Sequence, residues 1–328
     1  MRILATASCL ALISATAHAD PLPSWRDSDA KTSIIDFVES VTDPASDSFV
    51  PAPDRIATFD NDGTLWTEQP VYFQGLYALD VLKEKAAEDP SILSSDLLRS
   101  AAEGDVEAVM AAGVEGLLEV INISHADTTV EAFQSDAYDW LTTETHPATG
   151  LPYAEMVYQP MLELLAYLRD EGFTTYIVSG GGIDFIRAFA DEAYGIPPWQ
   201  VVGTEGNTRY EVVDGVPQLS KDGGVTFIDD KEGKPVGIIR HIGQRPIFSA
   251  GNSDGDFAML EYTTAGEGAR FGMLVHHTDG AREFAYDRDS DIGQLVRGLD
   301  EGPERGWTIV DMAQDWDRVF PSDGRAER

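Results

Sequence analysis

The spacing of apolar residues changes character twice along the chain. "KTSIIDFVESV" (31–41) places them three and four apart and predicts an amphipathic helix. The Pro-, Ser- and Asp-rich "TDPASDSFVPAPDR" (42–55) reads as a connector, and "RIATF" (55–59) as a short apolar strand that stops at Asp60. From about Tyr72 to Gly150 the helical period returns in "GLYALDVLKEKAAED", "SILSSDLLRSAAEG", "DVEAVMAAGVEGLLEVINIS" and "TVEAFQSDAYDWLTTET". These runs carry little β-branched clustering, so they predict a helical module of their own.

Beyond it, strand and helix alternate. "QPMLELLAYLRDEG" predicts a helix ending at Gly172, "FTTYIVS" a strand ending at Ser179, and "GIDFIRAFADEAYG" a helix. "WQVVGTEGNTRYEVVDG" predicts a hairpin turning at "EGN", and "GKPVGIIRHIG" a helix with Pro235 near its first turn. "RPIFSAG" is a strand running into "NSDGD", "DFAMLEYTTAGEG" a helix and "RFGMLVHH" a strand; "SDIGQLVRGLDEG" and "TIVDMAQDWDRVF" close the chain as helices. Such alternation implies an α/β fold, a Rossmann-like parallel sheet with helices on both faces. Ligands bind such sheets at the carboxyl ends of the strands. Three polar clusters fall there: Asp60 and Asp62; Ser179 with Gly180, Gly181 and Gly182; and Asn252, Ser253, Asp254 and Asp256.

Composition narrows the partners. A chain of 328 residues, 43% hydrophobic, can bury a sizeable core with a second module beside it. Its formal net charge of -34 repels nucleic acid and anionic membrane, which need clustered cations. An anionic substrate is also repelled at long range, so an anion site has to be local and assisted by a metal. At the start, Arg2, the apolar "ILATASCLALISATA" and the A-x-A sequence Ala17-His18-Ala19 predict a signal peptide over 1–19, cleaved near Ala19. That implies a periplasmic or secreted protein, without a membrane span after cleavage and without its one cysteine, Cys9.

The clusters carry a definite chemistry. Carboxylates and amide oxygens are hard ligands that suit Mg²⁺. A hydroxyl, a Gly-rich turn at a helix N-terminus and a lysine, here Lys234, suit phosphate. A carboxylate beside a second carboxylate suits attack on phosphorus with protonation of the leaving group.

In these residues the sequence resembles the haloacid dehalogenase-like hydrolase superfamily, in its phosphoserine-phosphatase-like branch. "DNDGT" resembles the first motif, "YIVSGGG" the second, Lys234 in "GKPVGI" the third-motif lysine and "GNSDGDFAML" the fourth. The likeness covers roughly 50–68 and 158–285. It implies a core of 20–68 and 158–328, with 69–157 inserted as an all-helical cap. It further implies Asp60 as nucleophile, forming an aspartyl-phosphate, and Asp62 as the acid and base with the higher pKa of the two. Thr64 and Gly63 shape the first turn; Thr64, Ser179, Gly180 and Lys234 form the phosphate site. Mg²⁺ is implied on an Asp60 oxygen, the Asp62 carbonyl and Asn252, with Asp254 in reserve, and Asp256 supports Lys234 or a bound water. Asn252 stands where the family's first fourth-motif aspartate stands. Glu68 lies near the place where phosphoserine phosphatases bind their amino acid but one residue out of step, so serine specificity does not follow.

The function expected is Mg²⁺-dependent hydrolysis of a small phosphorylated metabolite. The alternatives are phosphoryl transfer on the same site, or a catalytically silent periplasmic binding protein, which Asn252 alone favours. His276 and His277 are expected to serve packing, Asp184 and Arg187 to be structural, and Trp66 and the aromatics of "YDW" (138–140) to be core.

Overall fold

In the computed structural model, which describes residues 19–322, the apolar run after the connector becomes β1 (Ile56–Phe59), buried at all four positions. A strand without a polar face needs cover on both sides. The described residues place it in an eight-stranded sheet with β2 (Thr128–Thr129), β3 (Thr174–Gly182), β4 (Val201–Val213), β5 (Val216–Phe227), β6 (Phe248–Gly251), β7 (Phe271–His276) and β8 (Thr308–Asp311). The spatial order is β2-β5-β4-β3-β1-β6-β7-β8. The run from β4 to β8 is parallel throughout. β5 is antiparallel to both β4 and β2.

Helices supply the cover. α1 (Asp29–Thr42) precedes β1; α2 (Phe73–Glu88), α3 (Asp96–Ala102), α4 (Val106–Ala111), α5 (Gly113–Ser124), α6 (Val130–Thr143) and α7 (Gln159–Asp170) lie between β1 and β3. α8 (Ile183–Arg187) and α9 (Ala190–Tyr194) follow β3, α10 (Gly233–His241) follows β5 and α11 (Phe257–Thr264) follows β6. α12 (Arg297–Glu301) and α13 (Met312–Asp315) flank β8. Phe37 and Val38 of α1 and Leu164 and Leu168 of α7 share one core with Phe59 and Phe248. Ile238 of α10 and Leu260 of α11 share another with Val178, Val202 and Leu274. Each such side chain, fully buried, contributes about 1.5–3 kcal/mol of burial free energy. Leu79 and Leu82 of α2 join Leu98, Val109 and Val120 in a separate small core within the helical segment. Among the described residues no helix is long and apolar enough to cross a membrane. The leader expected at 1–19 lies, but for Ala19, outside the described residues.

Several elements differ from the pattern reading: the helix expected over "SDIGQLVRGLDEG" forms only at Arg297–Glu301, and β3 runs past Ser179 to Gly182. The hairpin turns at Asp214 (φ 52°) and Gly215 (φ 81°), not at "EGN". A two-residue turn with both central φ angles positive matches strand twist, and Asp-Gly is well suited to it. Around "EGN", β4 instead leaves its parallel partner β3 for its antiparallel partner β5, with register shifts at Gly206. "TIVD" is a strand rather than the start of a helix: its run of β-branched residues pairs with β7, and the helix begins only at Met312, where Asp311 accepts from the Gln314 amide (3.0 Å). The helical segment also contains β2, whose Thr128 and Thr129 pair with Lys221 and Ser220 of the hairpin.

Candidate active site

Asp60 is the first residue past β1, and its amide donates to the Ala250 carbonyl of β6 (2.9 Å). The nucleophile candidate is thus anchored by the sheet's own hydrogen bonding. Lys234, on the first turn of α10 and 1% exposed, donates to Asp60 Oδ1 (2.6 Å), Asp256 Oδ1 (2.6 Å) and the Val178 carbonyl (2.9 Å). A lysine has three N–H donors, and all three are spent here. Lys234 therefore clamps the nucleophile candidate's carboxylate and lines the cavity beside it. Burial alone would strip its proton, but Asp256 and Asp60 outweigh burial and hold the ammonium well above its ordinary value. Burial, followed by the Asp256 charge, pushes the Asp60 carboxyl well above the ordinary carboxylate range, with Lys234 pulling against it.

The turn 61–66 aims Asp62. Gly63 has φ +73°, and a Cβ there would lie 2.0 Å from Asn252 Nδ2 and 2.4 Å from Glu68 Oε1. Only glycine permits both the conformation and the close approach. The Gly63 carbonyl accepts from His277 Nε2 (2.7 Å), so this buried histidine braces the turn as well as packing against Tyr286. Asp62 Oδ1 accepts from Trp66 Nε1 (2.9 Å), and Trp66 stacks on Phe189 with centroids 4.4 Å apart. Burial raises the Asp62 carboxyl above its ordinary value, against the opposing Trp66 hydrogen bond. Trp66 is core, as its size suggested, and it also orients a site carboxylate.

The fourth-motif residues divide. Asp256 is fully buried; its Oδ2 accepts from the amides of Asn252 (3.0 Å) and Ser253 (3.1 Å) while Oδ1 takes Lys234. Asn252 donates from Nδ2 to Glu68 Oε1 (2.6 Å) and accepts on Oδ1 from the Thr64 hydroxyl (3.2 Å). Thr64 is fully buried and spent on this contact, so its hydroxyl braces Asn252 instead of facing a ligand. Tyr286 also donates to Glu68 Oε1 (2.8 Å). Burial pushes the Glu68 carboxyl well above its ordinary range, with Tyr286 pulling it back and the Asp62 and Asp60 charges adding to the rise. Asp254 points elsewhere. It accepts from the Val296, Arg297 and Gly298 amides (3.1, 3.0 and 2.9 Å) at the start of α12, and so is an N-terminal cap, not a reserve metal ligand.

At the end of β3, the register against β4 shifts between Ser179 and Gly182. The irregularity swings the Gly180–Gly181 backbone toward the carboxylates, as bulges beside ligand sites do. A Cβ on Gly181 would lie 3.5 Å from Asp62 Oδ2. Ser179 is buried, and its hydroxyl accepts from the Gly181 amide (3.1 Å). The Gly182 amide donates to Gln74 Oε1 of α2 (2.7 Å), and Gln74 Nε2 meets His125 Nε2 (3.2 Å). Gln74 and Tyr286 have no signature in local spacing: Gln74 meets Gly182 108 residues on, and Tyr286 reaches Glu68 across 218 residues.

Asp60, Asp62, Ser179, Gly180, Lys234 and Asp256 line one cavity of about 260 Å³, together with Glu68; Asn252 and Thr64 do not reach its wall. The other walls come from α2, α5 and the β4–β5 hairpin. Among the described residues, no three His, Cys, Asp or Glu side chains form a ready metal cage. The oxygens that face the cavity nevertheless fit a hard divalent cation that keeps several waters: the carboxylates of Asp60 and Glu68, with Asn252, expected as a ligand, instead orienting Glu68 from behind.

The haloacid dehalogenase-like hydrolase family matches residues 57–261, and the chain belongs to that family of hydrolases. No curated protein matches the sequence. Among solved structures, a conserved functionally unknown protein from Anaerococcus prevotii DSM 20548 is 15% identical, covers 89% of this chain and 94% of its own, and superposes with a TM-score of 0.54. A protein of unknown function from Bordetella pertussis Tohama I is 19% identical over 79% of this chain and 98% of its own, with a TM-score of 0.46. A phosphoserine phosphohydrolase-like protein from Francisella tularensis subsp. tularensis SCHU S4 is 16% identical over 76% and 98%, with a TM-score of 0.37. At 15% identity the likeness to the Anaerococcus prevotii protein is one of fold.

Proposed function

We propose that the protein is an exported, Mg²⁺-dependent phosphatase that hydrolyses small phosphate monoesters through an aspartyl-phosphate. One observation carries this: Asp60 and Asp62 face the same cavity, and Lys234 holds only one oxygen of Asp60. The Asp60 Oδ2 then attacks phosphorus as the bond from phosphorus to the alcohol oxygen breaks. Asp62, whose carboxyl burial raises above its ordinary value, gives its proton to the departing alkoxide. In the second half Asp62 takes a proton from water; the water oxygen attacks phosphorus, and phosphate leaves as Asp60 is regenerated. Bound Mg²⁺ supplies positive charge that offsets repulsion between the phosphate dianion and these carboxylates. Ser179 and Gly180 border the space left for the phosphate oxygens. Export rests on the leader expected at residues 1–19.

The test is release of p-nitrophenol from p-nitrophenyl phosphate with Mg²⁺, with EDTA, and by Asp60→Asn. Turnover that needs Mg²⁺ and falls at least 10³-fold in Asp60→Asn is the expected result. Equal turnover in all three arms would sink the mechanism. Tight ester binding without turnover in the wild type would favour the silent binding protein.

A further inference from the structure

We propose that the cavity selects phosphate monoesters whose leaving alcohol is apolar and bears no negative charge. This rests on the phosphatase reading of the same site. Beyond the carboxylates the wall is set by Leu118 and Ile121 of α5, Phe133 of α6, Ile183 of α8, and Val225 and Ile228 from the end of the hairpin. An alkyl or aryl group in that space is removed from water against carbon, at about 25 cal/mol per Å².

Several polar groups of the wall are committed to one another. Gln74 spends its oxygen on the Gly182 amide and its nitrogen on His125. Asn122 accepts from the Gly224 amide (3.0 Å). His125 bonds the Ser124 hydroxyl (2.8 Å), and burial, followed by the Lys221 and Lys85 charges, holds its ring neutral with a pKa of about 3. Two lysines line the cavity. Lys234 is held by Asp60 and Asp256. Lys221, 6% exposed, is paired with Asp184 and sits 4.7 Å over the Phe133 ring. Against these stand Asp184, Asp222, Asp230 and Glu68 on the same wall. A carboxylate or second phosphate on the leaving group would be buried there among like charges, with Lys221 already paired to Asp184, an arrangement that costs far more than burying carbon. An apolar alcohol meets no such penalty, and rejection of the charged analogue provides the selectivity.

The probes are n-hexyl phosphate and 6-(phosphonooxy)hexanoate, alkyl esters of nearly equal leaving-group acidity that differ by a terminal carboxylate. Wild-type turnover is measured as kcat/KM. Binding is measured by calorimetry on Asp60→Asn with Mg²⁺, which leaves both esters intact. Hexyl phosphate is expected to be favoured at least tenfold in each. Leu118 lines the cavity without belonging to the packed cores. Leu118→Lys places an unpaired cation in the wall, so it should narrow both gaps at least threefold. Should that variant not fold, Leu118→Gln should weaken hexyl phosphate alone. Binding of neither ester, equal or inverted preference, or preference indifferent to position 118 overturns the selectivity. Ranked binding with no wild-type turnover of either ester overturns only the phosphatase reading.

Discussion

Lys234→Met isolates the one cation on which the carboxylate cluster depends. The substitution keeps a long unbranched chain but removes the two 2.6 Å ion pairs and the hydrogen bond to the Val178 carbonyl. Removing one partner of a buried pair costs about 3–5 kcal/mol, because the other charge stays buried. Here two carboxylates are stranded, so we expect about 4–5 kcal/mol at pH 8, roughly a thousandfold or more in the folding constant. The loss should depend on pH in a set direction. Burial already pushes Asp60 well above its ordinary value, and Lys234 is what opposes it. Without the lysine the folded-state Asp60 carboxyl lies still higher than the unfolded one, so the fold prefers it protonated. The deficit is then full at pH 8 and shrinks as pH falls through the raised folded values toward 5. Urea unfolding of both proteins in EDTA at pH 8 and pH 5 measures it. A deficit under about 1 kcal/mol at pH 8, or one identical at the two pH values, would refute the clamp. Phosphate monoester hydrolysis should be lost in the same variant.

Two further substitutions probe groups beside the site. Asp254→Ala should cost about 1 kcal/mol, the usual worth of an N-terminal cap, and leave the Mg²⁺ concentration for half-maximal activity unchanged; a shift in that concentration would return Asp254 to the metal. Asp229 is fully buried, neither of its oxygens has a hydrogen-bond partner among the described residues, and burial pushes its carboxyl up to about 7. With a folded pKa above the unfolded value of about 3.9, its contribution is present in full below pH 4 and is lost as pH rises toward 7, up to about 4 kcal/mol in all. Asp229→Asn should therefore flatten the melting temperature against pH between 4 and 7, and an unchanged slope would count against a buried, neutral acid at this position.

The strands that carry the site were legible because each is short, apolar and abruptly polar at its end. β1, β6 and β7 fall where "RIATF", "RPIFSAG" and "RFGMLVHH" predicted them. Asp60 and Asp62 were legible for the same reason, since they follow directly on an apolar strand; Ser179 was legible as the first polar residue after "YIV", although β3 runs on past it to Gly182. What escaped depends on contacts between distant positions. Nothing local to Glu68 shows that Tyr286 and Asn252 will converge on it, and nothing local to Lys234 shows that all three of its protons will be taken. Asp254 and Asn252 are two residues apart in one polar run, yet one caps α12 while the other braces Glu68; side-chain direction, not composition, separates them. The hairpin was misplaced because "EGN" and "DG" are both turn-like, and only strand pairing decides between them.

The two residue pairs between β2 and β5 tie the helical segment to the hairpin, and Asn122 of α5 adds a side-chain hydrogen bond to Gly224. The walls of the cavity therefore form one discontinuous unit of inheritance. A chimera that exchanges residues 73–155 alone would leave Lys221 and Gly224 facing foreign partners and break the sheet at its edge. Transplanting recognition from one relative to another requires moving residues 201–227 in the same step, so drift in one segment constrains drift in the other although residues 156–200 separate them in sequence.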